Sequence, residues 1–288
     1  MDHGAARARA IALLLLFVVP ILLVGIEAQA AAPTVLISPK KFGPGDIVTV
    51  TVTGVSGTVA GEFRGKQLHF VTGKAGQRAI VGVDLYVEPG EHPLAVKTGD
   101  RDLSRSIMVS KKKYPLQRLT LDEDKVILSP ENEARVEREQ KRNAAVWPVE
   151  SLRFWKGRFV DPLPGKERGT PFGVRRIINN IPKNPHSGVD VTADEGEPVM
   201  APNDGVVVMA EEQFFAGKCV FIDHGDGIYT MFFHLFETKV KAGQAVMKGD
   251  VIGLVGATGR VSGAHLHWGV RMQGARVDPL QLIKLKLD

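Results

Sequence analysis

The chain is expected to be mainly β: an N-terminal immunoglobulin-like β-sandwich, a connector with one helix, and a C-terminal antiparallel β domain. Three observations predict this. Ile47-Val48-Thr49-Val50-Thr51-Val52-Thr53 alternates aliphatic and hydroxyl residues at period two, as a half-buried strand does. Short apolar runs of this kind recur before and after the middle of the chain, separated by glycine-rich turns such as Gly43-Pro44-Gly45-Asp46 and Glu88-Pro89-Gly90-Glu91. Helix signals gather in one place, at Ser129-Pro130.

In chain order, residues 1–30 have the pattern of an export signal. Arg7 and Arg9 give a positive start, Ile11 through Ile26 is apolar apart from Pro20 and Gly25, and Ala28-Gln29-Ala30 offers small residues for cleavage. The apolar run is short of the roughly 20 residues a spanning helix wants, so an uncleaved anchor is the alternative reading. Either way the remainder is expected outside the cytoplasmic membrane, in the periplasm or cell envelope. No cysteine lies nearby to carry a lipid.

Residues 31–112 hold the expected sandwich. After Ile47–Thr53 come runs at Val59–Phe63, Gln67–Val71, Ala79–Val87, His92–Lys97 and Ser104–Val109. His69 and His92 occur here without metal-ligand partners in sequence and read as ordinary surface histidines. Residues 113–165 form the connector, following Lys111-Lys112-Lys113. Its helix has Ser129 as N-cap, Pro130 at the first helical position, and Glu131 and Glu133 where the helix dipole favours acids. It runs to about Val146 and stops before Pro148; sparse apolar positions mark it as solvated rather than core. Residues 166–288 return to strands, at Pro198–Met200, Gly205–Glu211, Lys218–His224, Gly227–His234, Asp250–Val255 and His265–Arg271.

The 288 residues carry a net charge of +5, unchanged by removing residues 1–30, where Arg7 and Arg9 balance Asp2 and Glu27. A basic protein suits an anionic surface, but the cations form no stripe and no nucleic-acid motif occurs, so a nucleic-acid partner is not expected. Cys219 is the only cysteine, which excludes an intrachain disulfide. Its strand-like setting makes it a small apolar residue rather than a nucleophile.

His265-Leu266-His267 and His186-Ser187-Gly188-Val189-Asp190 carry the chemistry. Residues two apart on a strand project from one face, about 6–7 Å apart, so one histidine of the pair can bind metal while the other handles protons. Spacing alone does not say which. His186 and Asp190 add an imidazole nitrogen and a carboxylate oxygen. Two histidines and one aspartate leave a fourth tetrahedral position open, as catalytic zinc requires. Separately, each residue has an ordinary reading as a loop histidine or a turn aspartate; their coincidence points to a site. His224, in Asp223-His224-Gly225-Asp226-Gly227, is explained by a hairpin turn and is left out. The glycines of Gly253–Gly263 lack the GxxxxGK[ST] pattern of a phosphate loop.

HSGVD, TMFFHL around His234 and TGRVSGAHLHW, with Phe172-Gly173-Val174-Arg175-Arg176 before and Ala201-Pro202-Asn203-Asp204-Gly205 after the first motif, together resemble the lysostaphin/LytM-type zinc metalloendopeptidases. These cut the peptide part of bacterial peptidoglycan. The resemblance runs from about Thr170 to about Leu280. It departs at Phe232-Phe233, where the family often has Tyr-Ala, at Ala264, often Pro, and at Trp268, more usually Phe or Tyr. It implies one Zn2+ per chain held by His186, Asp190 and His267, with His234 and His265 catalytic. No HExxH glutamate exists to act as base. The two unligated imidazoles fill that role: one takes the water proton, the other supports the oxyanion, in an order the sequence leaves open. Relatives divide between pentaglycine and D-alanyl–diaminopimelate bonds. A plain signal and no recognisable C-terminal wall-binding domain favour the second. The alternative function is a catalytically inactive LytM-like domain that binds and activates another wall hydrolase. Such relatives generally lack ligands, whereas all of the positions named here are present. The sandwich is expected to contribute a cell-wall or protein contact and nothing to the chemical step.

Overall fold

The computed structural model describes Met1 and residues 32–99, 101–120, 127–149 and 151–285. The expected export signal therefore lies outside the described residues. Among those described, no helix is long and apolar enough to cross a membrane.

The chain is mainly β, as the patterning predicts. In the N-terminal part, β1 (Thr34–Ser38), β2 (Ile47–Thr53), β6 (Gly76–Gly82) and β5 (Val71–Gly73) form one antiparallel sheet in that order. A second sheet runs β4 (Lys66–Gln67), β3 (Val59–Phe63), β7 (Gly90–Thr98), β8 (Arg101–Asp102), with β9 (Arg105–Val109) also on β7. Val50, Val52, Val81, Leu94, Val96 and Val109 belong to the core they share. The period-two reading of β2 holds: Val48, Val50 and Val52 are buried while the threonines are half-exposed. A two-sheet sandwich is present; these strand orders do not by themselves make it immunoglobulin-like.

Two expected strands are broken. The run Gln67–Val71 divides into β4 and β5, which pair with β3 and β6 in different sheets, because Leu68-His69-Phe70 carries the chain between them. The run Ala79–Val87 ends as a strand at Gly82. Val83 N–H then bonds to Asp46 O at 2.9 Å, and Asp84 accepts from Arg276 N–H at 2.7 Å. Val83 is thus held within the sandwich, while the Asp84 carboxylate docks on the C-terminal part.

The helix α1 (Pro130–Val146) starts as predicted, with the Ser129 side chain accepting from Asn132 N–H. It is less detached than its polarity suggests. Val136 and Glu139 are buried; Glu139 accepts from Arg135 at 2.8 Å and from Phe214 N–H at 2.9 Å, and Asn143 pairs with Gln213 at 3.0 Å. Polar partners hold the middle of the helix, and Val146 with Trp147 at its end packs against the apolar cluster of Met209, Phe221 and Met231.

The C-terminal part is built on an antiparallel sheet in the order β13 (Gly188–Thr192), β20 (His265–Met272), β17 (Ile228–Thr238), β16 (Gly217–Asp223), β15 (Gly205–Gln213), β18 (Ala245–Val246). Beside this path, β14 (Pro198–Met200) pairs with β19 (Val251–Val255), β19 also with β17, and β21 (Ala275–Val277) with β20. A smaller sheet joins β10 (Leu116–Leu119) to β11 (Arg175–Ile178) in parallel, and β11 to β12 (Ile181–Lys183) in antiparallel fashion. The core contains Val191, Phe232, Leu266, Trp268 and Val270.

Residues 32–288 form one compact unit. Ile47 of β2 belongs to the C-terminal core cluster, and Ile80 packs against it. Backbone bonds cross too: Asp278 N–H to Gly45 O at 2.8 Å and Leu85 N–H to Arg276 O at 3.1 Å. The short helix α2 (Pro279–Leu282) supplies Gln281, whose Oε1 accepts from Ile47 N–H at 2.8 Å.

Candidate metal centre and active site

Three neighbouring strands build the site. In the β13–β20 register Asp190 stands opposite His267, and Thr192 opposite His265. Residues directly opposed across an antiparallel pair share a face, so Asp190, His265 and His267 all project to one side. Leu266 and Val191, paired with each other between them, are fully buried on the other side. The alternation of His265-Leu266-His267 therefore separates cleft from core.

His186 precedes β13 and is pinned by the Phe172–Val174 segment: its N–H bonds to Val174 O at 2.9 Å, and its carbonyl accepts from Gly173 N–H at 2.8 Å. Its Nδ1 lies 2.9 Å from Pro171 O, where only an N–H fits, so Nε2 carries the lone pair. That Nε2, Asp190 Oδ1 and His267 Nδ1 form a triangle with every side 2.9 Å. Among the described residues it is the only cluster of His, Cys, Asp and Glu atoms arranged to hold a metal.

The donor set fits zinc. Ligands about 2.0–2.1 Å from a tetrahedral zinc stand about 3.3 Å apart, so the triangle needs only slight spreading. Burial works to raise the Asp190 pKa, but hydrogen bonds with His186 and His267 outweigh it and hold the carboxyl below the usual carboxylate range. Burial pushes His267 down to about 4, with the neighbouring His186 adding to the shift against the pull of Asp190. Asp190 and His267 are thus in the deprotonated form that binds metal.

Gly188 is required by this packing. A Cβ there would lie 2.5 Å from Trp268 O and 2.6 Å from His267 Nε2. The glycine of HSGVD lets His267 approach β13.

His234 reaches the same face through a bulge. On β16 and β17 Val220 faces Phe232 and Lys218 faces Leu235, so Phe233 and His234 together oppose Cys219. His234 takes φ +64°, a conformation costly for a non-glycine residue and concentrated at functional sites. The extra residue turns adjacent side chains to one side. Phe233 stacks on His267, and the His234 ring centroid lies 5.0 Å from His265 and 6.1 Å from His267. Each free histidine has a set tautomer: His234 Nδ1 bonds to Thr258 O at 3.0 Å and His265 Nδ1 to Gly263 O at 2.9 Å. Both leave Nε2 as a proton acceptor. Burial, with His267 nearby, pushes His234 down to about 3, so it is neutral at ordinary pH.

The remaining sequence candidates lie elsewhere in the fold. His224 is fully buried, its ring nitrogens bonded to Asp204 O and Thr230 Oγ1, both at 2.8 Å, and burial pushes it down to about 4. It braces the hairpin and is no part of the metal cluster. Cys219 is fully buried and its thiol is pushed up to about 12, unsuited to nucleophilic attack. His92 bonds to Glu88 O at 2.8 Å and stands by Arg64, in the sandwich. Sequence reasoning assigned no role to Phe233, Arg176 or Thr258, which the fold brings to the site. Only the doubled arginine of FGVRR hinted at one of them.

A cluster of two histidines and an aspartate on an antiparallel sheet, with two free imidazoles beside it, is the arrangement of a hydrolytic metal site. The chain belongs to peptidase family M23. That family's pattern matches residues 184–279. A Pseudomonas aeruginosa crystal structure assigned to peptidase M23 aligns at TM-score 0.69 and 33% identity, covering 84% of this chain and 95% of that one. The peptidoglycan DD-endopeptidase ShyA of Vibrio cholerae is 43% identical over 97 residues, 34% of this chain and 23% of ShyA. The DD-carboxypeptidase/endopeptidase Mpg of Neisseria meningitidis is 37% identical over 128 residues, 44% of this chain and 30% of Mpg. The matched segments thus span no more than about a third of these curated relatives.

Proposed function

We propose that this chain is an exported zinc metalloendopeptidase that hydrolyses amide bonds in the peptide cross-links of bacterial peptidoglycan. The observation that carries the reading is the 2.9 Å triangle of His186 Nε2, Asp190 Oδ1 and His267 Nδ1 beside two histidines with free Nε2 atoms. Those three atoms would hold Zn2+. When bound, the metal polarises the scissile carbonyl and lowers the pKa of a water, supplying a nucleophile near neutral pH.

The protein's own groups handle the protons. The Nδ1 atoms of His234 and His265 are held by backbone carbonyls, which leaves each Nε2 for proton exchange. One histidine takes the water proton at Nε2 and passes it to the leaving nitrogen; the other supports the charge developing on the carbonyl oxygen when its own Nε2 carries a proton to donate. The carbonyls of Thr258 and Gly263 hold the rings in place so that no tautomer change precedes the transfer. Peptidoglycan as substrate is supported by the relatives that carry DD-endopeptidase in their names. Export to the periplasm or cell envelope is supported by the charge and apolar pattern of residues 1–30.

The test is zinc analysis of the purified protein together with mass spectrometry of fragments released from defined cross-linked muropeptides. One zinc per chain and cleavage of the cross-link are expected. A zinc-loaded protein that releases no fragment would instead favour a domain that activates another hydrolase.

A further inference from the structure

Thr258 stands in the segment between β19 and β20, and both its side chain and its main chain reach the bulge that carries His234. Its Oγ1 accepts from Lys218 N–H at 2.9 Å and donates to Leu235 O at 2.8 Å. Lys218 and Leu235 are the register pair of β16 and β17 on the far side of the bulge. The hydroxyl therefore ties the two strands together at the edge of the irregularity, using its donor and an acceptor lone pair at once. The carbonyl of the same residue accepts from His234 Nδ1 at 3.0 Å.

The surrounding backbone is shaped around this insertion. His234 N–H bonds to Ala216 O at 2.8 Å and Arg260 N–H to Phe215 O at 3.1 Å, so the turn before β16 holds the histidine and the Thr258 segment together. Gly217 takes φ +61° and Gly259 φ +78°. A Cβ at Gly217 would collide with Thr258, and one at Gly259 with the Gly217 main chain. The two segments thus meet at main-chain distance. His234 holds φ +64°, a conformation that persists only where its surroundings over-determine it. Three of the bonds around it run through Thr258, two by the hydroxyl and one by the carbonyl.

We infer that Thr258 is a positioning residue for His234: its hydroxyl locks the bulge, and the carbonyl held by that lock keeps the proton on Nδ1. Nε2 is then the ring nitrogen available for proton exchange in every molecule. The hydrogen bonds of Thr258 go to Lys218, Leu235 and His234, so its influence on the chemistry passes through the histidine. Removing the hydroxyl leaves Lys218 N–H and Leu235 O to find other partners, and the simplest relief is to let the bulge relax. The ring then samples orientations in which the Thr258 carbonyl no longer selects the tautomer.

The consequence for rate rests on the amide-hydrolase reading, and the experiment separates the two. Thr258→Val removes the hydroxyl and keeps the branched shape; Thr258→Ser keeps the hydroxyl. NMR of the zinc-loaded full chain carrying 15N-histidine reads the tautomer directly, because protonated and bare ring nitrogens resonate far apart. His234→Ala identifies the signals. The parent protein and Thr258→Ser should show Nδ1–H alone at His234, whereas Thr258→Val should show signals averaged between two tautomers. On a defined cross-linked muropeptide, Thr258→Val should lose about 10- to 100-fold in kcat, the value of buried partners left unsatisfied. KM and zinc content should stay as they are, and Thr258→Ser should recover most of the rate. In a His234→Ala protein the further change Thr258→Val should cost little, because residues that act through one another do not add. Thr258→Ala is read in the same way if the valine protein does not fold. A tautomer shift in a protein whose parent cleaves nothing would sink the hydrolase reading and leave the lock standing. An unchanged His234 spectrum without the hydroxyl, full kcat, an equal loss of kcat with and without His234, or loss of zinc would overturn the lock.

Discussion

Phe233 lies stacked on His267, ring centroids 5.1 Å apart and planes inclined by 19°. The contact exists because the bulge at Phe233-His234 puts both residues on the cleft face. Phe233 also meets Phe221 edge-on at 5.6 Å, and Phe221 stacks on Trp147 at 5.5 Å, so an aromatic series runs from the end of α1 to a candidate zinc ligand. Aromatic pairs are worth about 0.5–1.5 kcal/mol beyond burial. Phe233→Ala should therefore weaken zinc affinity by up to about tenfold while leaving the fold intact. Competition with a chelator reads this directly, and unchanged affinity would make the stack incidental.

Gly188→Ala should do more damage from a smaller change. The added methyl would meet the Trp268 carbonyl at 2.5 Å, and backbone of a central strand has nowhere to move. His267 is the other neighbour, at 2.6 Å, so relief comes by displacing the imidazole. Zinc content should fall with activity, with circular dichroism nearly unchanged. A fully loaded, active Gly188→Ala protein would mean that β13 and β20 sit further apart than described.

Metal and proton roles separate cleanly by substitution. Alanine at His186, Asp190 or His267 should remove zinc and activity together. His234→Ala and His265→Ala should retain zinc and lose rate, about 10²–10⁴-fold in kcat with little change in KM. Loss of the metal from His265→Ala but not from His267→Ala would reverse the assignment within the pair.

Much of this site was legible because it follows from simple periodicity. His265 and His267 share a face, and Leu266 between them is core, as strand alternation requires. The start of α1 was equally plain, since Ser129, Pro130 and the first-turn acids act locally. What could not be read arises from long-range pairing. The bulge that turns His234 toward His265 depends on which residue of β16 faces which of β17, and no residue in FFHL announces it. The docking of α1 through Glu139 and Asn143 uses polar partners far along the chain, where a search for an apolar stripe finds nothing. The loss of strand after Gly82 has the same origin, because Asp84 bonds to Arg276. Arg176 looks like a surface cation until the fold brings it to Asp190.

Ile47 tests how far the N-terminal sandwich and the peptidase part act as one body. The sandwich has its own core, so independent folding is a fair expectation from sequence. Yet Ile47 is only 3% exposed and belongs to the peptidase core cluster, while its backbone N–H bonds to Gln281 of α2. Removing most of such a side chain costs about 2–5 kcal/mol. At about 2–4 °C per kcal/mol for a unit of this size, Ile47→Ala should lower Tm by roughly 4–20 °C. If the two parts share stability, calorimetry should show a single transition that moves as a whole, even though the substitution lies in the sandwich sequence. Two transitions, with only the one assigned to the sandwich shifted, would mean that the contact is adhesive rather than cooperative. The sandwich could then leave the peptidase without unfolding it, and a role in gating the cleft would become the better account of its presence.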